Sequence, residues 1–362
     1  MNVPRLLQQK IEKQIGKQKV ILLYGTRRTG KTTIIENIAE KHGADVLLMQ
    51  GEDMQVAELL GGTTIAGYRR LIGAKKLIII DEAQAIPEIG KVLKLMIDNI
   101  KGITLIVTGS SSFDLVNKTG EPLVGRNIVH YLYPVAQCEL GATEDNLATI
   151  QNLEDRLIYG SYPELWQLQN KEEQAEYLKQ LVNSYLLKDL LMMENIKGAG
   201  VLFKLLQLLA WQVGSLVSTV ELGNSLQINK LTVVRYLDLL SKVFVIYPLS
   251  GYSGNLRMEI TKSKKWFFYD NGIRNALINN FSPLSGRNDI GQLWEQYIIS
   301  ERMKYNSYRA YTPQYFFWRT YDGQELDLLE LQNGKLLALE CKWQSQKSKK
   351  PVAFDKAYPD AG

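Results

Sequence analysis

Short, continuous apolar runs alternate with amphipathic stretches through the first third of the chain. Val20-Ile21-Leu22-Leu23-Tyr24, Leu77-Ile78-Ile79-Ile80 and Ile103-Thr104-Leu105-Ile106-Val107 have the length and apolar character of buried parallel strands. Loops and helical periods separate them, so residues 17 to about 135 predict a parallel sheet covered by helices. Beyond Tyr133-Pro134 the pattern turns helical over 147–159 and 171–194, with a turn at Tyr159-Gly160-Ser161-Tyr162-Pro163-Glu164. Between about 200 and 270, short helices precede strands. A helix over 201–213 is followed by the capping box Ser218-Thr219-Val220-Glu221 and by a third helix after Gln227-Ile228-Asn229. On that helix Leu231, Val234, Leu237 and Leu240 are expected to share the buried face, leaving Lys230, Thr232, Arg235 and Tyr236 in solvent. Val243 to Tyr247 and Trp266 to Tyr269 predict a wing. The expected fold is α/β: a parallel sheet over 1–135, with the glycine-rich Gly25 to Thr32 after its first strand as in a P-loop NTPase, a helical lid over 136–199, a winged helix over 200–270 and a further α/β domain over 271–362.

Composition narrows the setting. The 362 residues call for two or three domains, and 45% hydrophobic with 22% charged residues is ordinary for a soluble chain. No apolar stretch reaches the length of a membrane span, and Met1-Asn2-Val3-Pro4-Arg5 lacks the apolar segment of a signal peptide. With only Cys138 and Cys341, a reducing cytoplasm is expected and no zinc site arises from cysteines alone. The formal charge of +5 permits a nucleic-acid partner without demanding one. The basic clusters Lys262, Lys264, Lys265 and Lys342, Lys347, Lys349, Lys350 fit either a solvated surface or such a partner.

The chemistry concentrates first in Gly25-Thr26-Arg27-Arg28-Thr29-Gly30-Lys31-Thr32, a glycine-rich turn between a strand and the helical run that starts at Thr33. Backbone N–H groups and the positive end of a helix dipole suit a triphosphate there, Lys31 suits its β and γ phosphates, and the Thr32 hydroxyl suits Mg²⁺. Asp81 and Glu82 end the next strand. Alternation there predicts Asp81 on the metal and Glu82 as the general base towards an attacking water. Thr108 and Ser110, after the third strand, either sense the γ phosphate or cap the following helix. In the winged helix, Arg235 could read guanine edges and Lys230 a phosphate, though such folds also dock proteins.

The C-terminal third carries a sparser constellation. Leu293-Trp294-Glu295-Gln296-Tyr297 reads as helix, with strands at Glu325-Leu326-Asp327-Leu328-Leu329 and Ala338-Leu339-Glu340-Cys341-Lys342. Alternation puts Glu340 and Lys342 on one face. Asp327, Glu340 and Glu295 then offer carboxylates to a divalent cation, and Lys342 a group to position or deprotonate water. A water-facing charged pair of strands is the competing reading, against which Trp343 and the apolar partner Phe316-Phe317-Trp318 predict a mostly buried strand.

Across nearly its whole length the chain resembles a family of bacterial and archaeal AAA-like ATPases that carry a winged helix and a C-terminal domain similar to the PD-(D/E)xK nucleases. The resemblance rests on Gly25 to Thr32, Asp81-Glu82-Ala83-Gln84, Thr108-Gly109-Ser110-Ser111, and Gly125-Arg126 with Leu132-Tyr133-Pro134. It continues in Tyr162-Pro163-Glu164, Tyr185 to Asp189, Tyr269-Asp270-Asn271-Gly272-Ile273-Arg274, Trp294-Glu295, Arg319, Gly323 to Asp327 and Glu340-Cys341-Lys342. It implies ATP and Mg as cofactors, Arg126 as a finger or sensor for the γ phosphate, and DNA as a partner. A finger acting in trans would need a homo-oligomer. Departures are Leu326 in place of a proline, Ser161 in place of a glycine, and only twenty residues after Lys342, as in a shortened nuclease-like domain. The reading is an Mg-dependent ATPase coupled to DNA binding or processing; the alternative is a nucleotide-gated protein-interaction switch with an inactive nuclease-like domain. A helicase fits less well, for no second RecA-like domain is visible.

Overall fold

β1 (Val20–Tyr24) is apolar and buried at every position, as a strand covered on both faces must be. A computed structural model describes residues 3–62, 64–109, 123–186, 198–253, 264–344 and 350–362. Packing divides the chain into two units, residues 1–135 with 242–244, and residues 136–241 with 245–362.

In the first unit β1 joins β2 (Val46–Gln50), β3 (Leu77–Asp81), β4 (Thr104–Gly109) and β5 (Asn127–Tyr131) in a five-stranded sheet of order β2-β3-β4-β1-β5. Every pairing is parallel. β3 and β4 are also buried throughout, whereas the edge strands β2 and β5 are partly exposed. This order places β4 between β1 and β3, so the C-terminal ends of three central strands adjoin. Ligands in such sheets gather along that edge.

β5 also carries a buried imidazole. His130 is 6% exposed, its Nε2 lies 2.8 Å from Gln14 Oε1, and burial, with Lys10 nearby, lowers its pKa to about 4. The unfolded chain takes up this proton near pH 6.5. The native state therefore holds fewer protons between these values, and stability present above pH 6.5 is lost as the pH falls towards 4. At 1.36 kcal/mol per unit, the two units from pH 6.5 to 4.5 remove about 2–3 kcal/mol. Urea unfolding at pH 7 and 4.5 should show wild type losing that much more than His130→Gln; equal losses would remove His130 from the acid response.

The second unit begins with helices. The stretch expected as one helix over 147–159 is two, Asn146–Gln151 and Leu153–Tyr159, broken at Asn152. Leu157 and Ile158 pack with Leu284, Leu293 and Tyr297, so the second of these helices contributes to this unit's own core. Lys171–Gln180 continues into a π-helical turn over Leu181–Leu186, and the expected helix beyond 186 lies outside the described residues, with Lys188 and Asp189.

Next come helix Ala199–Trp211, β6 (Leu216–Val217), helices Thr219–Leu226 and Lys230–Lys242, β7 (Ile246–Gly251) and β8 (Lys264–Phe268). Ser218 accepts from Glu221 N–H, as a capping residue should. Two expectations change here. The face of Lys230–Lys242 that is buried carries Val233, Leu237 and Leu240, while Leu231 and Val234 are exposed. The strand expected from Val243 starts only at Ile246, because Phe244 adopts a left-handed φ of +59° that a strand does not accommodate.

After helix Asn271–Leu277 come helix Ile290–Tyr308, β9 (Gln314–Arg319), β10 (Glu325–Gln332), β11 (Lys335–Leu339) and helix Val352–Ala357. One six-stranded sheet, order β11-β10-β9-β7-β8-β6, runs through the residues on both sides of the expected boundary at 270. The β7–β9 pairing is its parallel step, with Ser250 opposite Phe316 and Gly251 opposite Phe317; the other pairings are antiparallel. This fusion puts β8 in the same sheet as the strands of the C-terminal constellation.

Candidate functional site

The loop after β1 is shaped by its glycines. A Cβ on Gly25 would stand 2.2 Å from Leu132 O, so only glycine fits between the loop and the residue following β5. Gly30 takes φ +95° and starts the helix Lys31–His42, whose first turn has no side-chain cap from Gly30, leaving its N–H groups to face an anion. Lys31 is buried, and its Nζ donates to Gly25 O (2.9 Å) and Thr26 O (3.0 Å). Thr29, also buried, donates to Thr26 O at 2.8 Å. Arg28 is exposed at φ +64°, Arg27 is half-buried, and Thr33 is exposed on the first helical turn.

Three side chains meet behind this loop, one from the first turn of helix Lys31–His42 and two from the ends of β3 and β4. Thr32 Oγ1 donates to Asp81 Oδ2 at 2.9 Å. Thr108 Oγ1 donates to Asp81 Oδ1 and accepts from Glu82 N–H at 3.0 Å. Thr108 lies within β4, which favours its role beside the acidic pair over a helix cap; Ser110 lies outside the described residues. A hydroxyl and a carboxylate this close are donors that Mg²⁺ accepts, so Thr32 and Asp81 fit that ion.

Glu82 is aimed by a different device from strand alternation. β3 ends at Asp81, and Glu82 turns out of it at a left-handed φ of +47°, an uncommon conformation for a residue with a side chain. Gln84 Nε2 holds its Oε2 at 2.5 Å. Such strain persists only where surrounding structure imposes it, and it clusters at functional sites. Gly51, unremarked in the sequence, belongs to that surrounding: its N–H donates to Asp81 O at 2.7 Å, and a Cβ there would lie 2.6 Å from Glu82 O. Arg5 was also missed. Its guanidinium bonds Thr29 O (2.6 Å) and Tyr133 O (2.7 Å), tying the phosphate loop to the chain after β5. Pro4-Arg5 carries no pattern that would have revealed this.

Arg126 requires a correction. It precedes β5, and its carbonyl accepts from Val20 N–H at 2.9 Å, which puts it at the start of β1 rather than the end. Five strand residues at about 3.3 Å each separate these edges, roughly 16 Å. The side chain is spent on Asp98 at 2.6 Å. It cannot serve this chain's own phosphate loop.

A second cluster lies in the other unit, in an open cavity of about 520 Å³. Glu295 comes from helix Ile290–Tyr308, Glu325 and Asp327 from β10, and Glu340 and Lys342 from the segment after β11. The expected motif residues are thus gathered. β11 itself stops at Leu339, so strand alternation does not orient the pair: Cys341 N–H donates to Asp327 Oδ2 at 2.7 Å, and Lys342 pairs with Glu340 at 2.5 Å. β11 is also half-buried rather than mostly buried, with Trp343 exposed at 36%. Burial pushes Glu295 up to about 7, with Asp327 and Glu325 adding to the effect and Lys265 opposing it.

The basic clusters divide. Lys265, expected at the surface, is 2% exposed and reaches Glu295 (3.1 Å) and Glu325 (2.5 Å). Lys264 is half-buried, Lys350 pairs with Asp355, and Lys262, Lys347 and Lys349 lie outside the described residues. Among the described residues no three His, Cys, Asp or Glu side chains are grouped to hold a metal ion. With ammonium groups on Glu295, Glu325 and Glu340, this cleft does not fit the divalent cation that the nuclease-like resemblance implies. On helix Lys230–Lys242, Lys230 and Arg235 are exposed, whereas the Thr232 N–H and hydroxyl both donate to Asn229 Oδ1, at 2.8 and 3.0 Å, as part of the helix cap.

Residues 17–141 match a family model described as an AAA domain; 150–284 and 290–362 match two domains of unknown function (DUF8612 and DUF4143). An uncharacterized protein of Mycobacterium tuberculosis is 27% identical over 337 residues, 92% of this chain and 72% of that protein. One from Methanocaldococcus jannaschii is 22% identical over 378 residues, covering 98% and 82%. The solved structure of the Pif1 helicase from Candida albicans aligns with 50% of this chain and 48% of that one, at 15% identity and a TM-score of 0.27, too loosely to carry an inference. No helix among the described residues is long and apolar enough to cross a membrane. The AAA-domain match and the parallel sheet with its phosphate loop support a nucleotide-binding, nucleotide-hydrolysing first unit.

Proposed function

We propose that the chain is an Mg²⁺-dependent ATPase whose nucleotide cycle governs DNA binding by the second unit. The observation that carries this is the meeting of Thr32, Asp81 and Thr108 behind the phosphate loop, with Glu82 held beside them. Thr32 and Asp81 would hold the magnesium ion, which supplies neutralisation of charge on the phosphates. Lys31 exchanges its two loop carbonyls for phosphate oxygens, and the first-turn N–H groups of Lys31–His42 bind the phosphate chain. Glu82 takes the proton of the attacking water. Thr108, bonded to both members of the acidic pair, fixes their orientation.

For the second unit, the order helix, β6, helix, helix, β7, β8, with β8 paired between β6 and β7, supports a winged helix over 200–270. Its third helix presents Lys230 and Arg235 to a duplex. A helix followed by the antiparallel β9-β10-β11 and a further helix supports a nuclease-like domain over 271–362. A second reading, a nucleotide-gated protein-docking switch, is favoured by Leu231, 78% exposed, and Val234 on that same helix. Fluorescence anisotropy with labelled duplex DNA, with and without Mg-ATP, separates them. The first reading expects nucleotide-dependent binding, weakened several-fold by Lys230→Ala with a shallower salt dependence. No binding in any nucleotide state by a preparation that turns over ATP would leave the switch.

A further inference from the structure

Lys265 belongs to no motif legible in the chain, yet it occupies the centre of the second cleft. It lies on β8, opposite Leu216 of β6 and Leu249 of β7, and the parallel joining of β7 to β9 carries it to the carboxylates of helix Ile290–Tyr308 and β10. Its Nζ stands 3.1 Å from Glu295 Oε1, 2.5 Å from Glu325 Oε1 and 5.5 Å from the Phe317 ring centre. Gly214, at φ +76°, lets the loop before β6 close on the same group: a Cβ there would lie 2.9 Å from Glu295 Oε2.

The remaining donors are also engaged. Asp327 Oδ2 takes the Cys341 N–H, Glu340 Oε1 takes Lys342, and Arg319 lies 3.6 Å from Glu325. Four carboxylates therefore face three cations from the protein itself. Glu340 Oε2 is buried with no hydrogen-bond partner, but each of the other three carboxylates already has a protein donor on one of its oxygens. A buried ion pair is by itself weak evidence of stabilisation, since both charges must leave water. The position of this one, among the carboxylates that the nuclease-like reading assigns to a metal, gives it another use.

We propose that Lys265 is a resident cation standing in for a divalent metal, so that the Glu295, Asp327 and Glu340 set is closed to metal ions and the C-terminal domain does not cleave phosphodiesters. This rests on the nuclease-like reading of the cleft.

Terbium(III) titration of the full chain without nucleotide, excited through tryptophan, reads this cleft: Trp343 lines it, Trp294 adjoins Trp343, and none of the six tryptophans lies within residues 1–135. Wild type should give no saturable emission over the range in which Lys265→Met saturates, a difference in apparent affinity of at least tenfold. Adding Asp327→Asn to Lys265→Met should abolish the signal. Because Lys265→Met leaves buried carboxylates facing each other, its thermal midpoint should also rise with Mn²⁺ while that of wild type does not. Should Lys265→Met fail to fold, Lys265→Met with Glu325→Gln removes one charge of each sign and takes its place. Saturable wild-type emission that Asp327→Asn removes would overturn the proposal. Wild-type ATP turnover, measured on the same preparation, tests the ATPase reading separately.

Discussion

Glu82→Gln should lower ATP turnover by roughly 10²- to 10⁴-fold, the usual contribution of a positioned general base, while the dissociation constant for Mg-ATP stays within about threefold. The substitution keeps size and hydrogen-bonding capacity but removes the proton acceptor. The phosphate contacts come from elsewhere, from Lys31, Thr32 and the first helical turn, so binding has no reason to change. Steady-state turnover and calorimetric titration measure the two quantities independently. Glu82→Gly should lose turnover to the same degree for the same reason. It also removes the side chain from a left-handed φ of +47°, so the first unit should gain about 1 kcal/mol against urea. Turnover retained by either variant would mean that another group activates the water.

That so much of this site could be read from the chain follows from its locality. The phosphate loop is a contiguous strand, turn and helix, and the acidic pair sits at the end of an apolar run, so no long-range pairing has to be known. As a sensor for its own chain's phosphates, Arg126 fails for the opposite reason. Its neighbourhood in sequence says nothing of strand direction, and only the parallel pairing of β5 with β1 shows that it lies at the far edge from the phosphates. Lys265 was hidden in the same way, because its partners depend on β7 pairing with β9 across more than sixty residues of chain. On helix Lys230–Lys242 tertiary packing keeps Leu237 and Leu240 of the expected face buried but takes Val233 in place of Leu231 and Val234. Of the edge strands, β5 lacks the continuous apolar signal of the central three, with Asn127 and His130 in its five residues, whereas Val46-Leu47-Leu48-Met49 of β2 is as apolar as they are and differs in being partly exposed.

The segment Tyr269 to Arg274, read from resemblance as a lid or linker signature, proves to be a buried polar junction, and its loss should be the most destabilising change in the second unit. Asp270 is 4% exposed, and its carboxylate accepts from Ser161 N–H (2.7 Å), Gly272 N–H (2.9 Å) and Ile273 N–H (3.3 Å). The chain is built closely around it: a Cβ on Gly160 would fall 2.0 Å from Asp270 Oδ1, and one on Gly272 2.0 Å from Tyr159 O. Asn271 and Asn275 add bonds to Leu157 O, Leu293 O and Ile158 O, joining helix Asn271–Leu277 to the ends of two others. Asp270→Ala strands three buried donors at about 1–3 kcal/mol each, so a loss of at least roughly 3 kcal/mol is expected, a large share of the 5–15 kcal/mol that holds a typical domain. Asp270→Asn retains an acceptor for Gly272 and Ile273 but sets an amide N–H₂ against Ser161 N–H, and should lose less. Denaturant unfolding followed by tryptophan fluorescence isolates the effect, because every tryptophan lies in the second unit. A loss below 1 kcal/mol for Asp270→Ala would mean that water replaces the carboxylate and that the junction contributes little to holding these helices together.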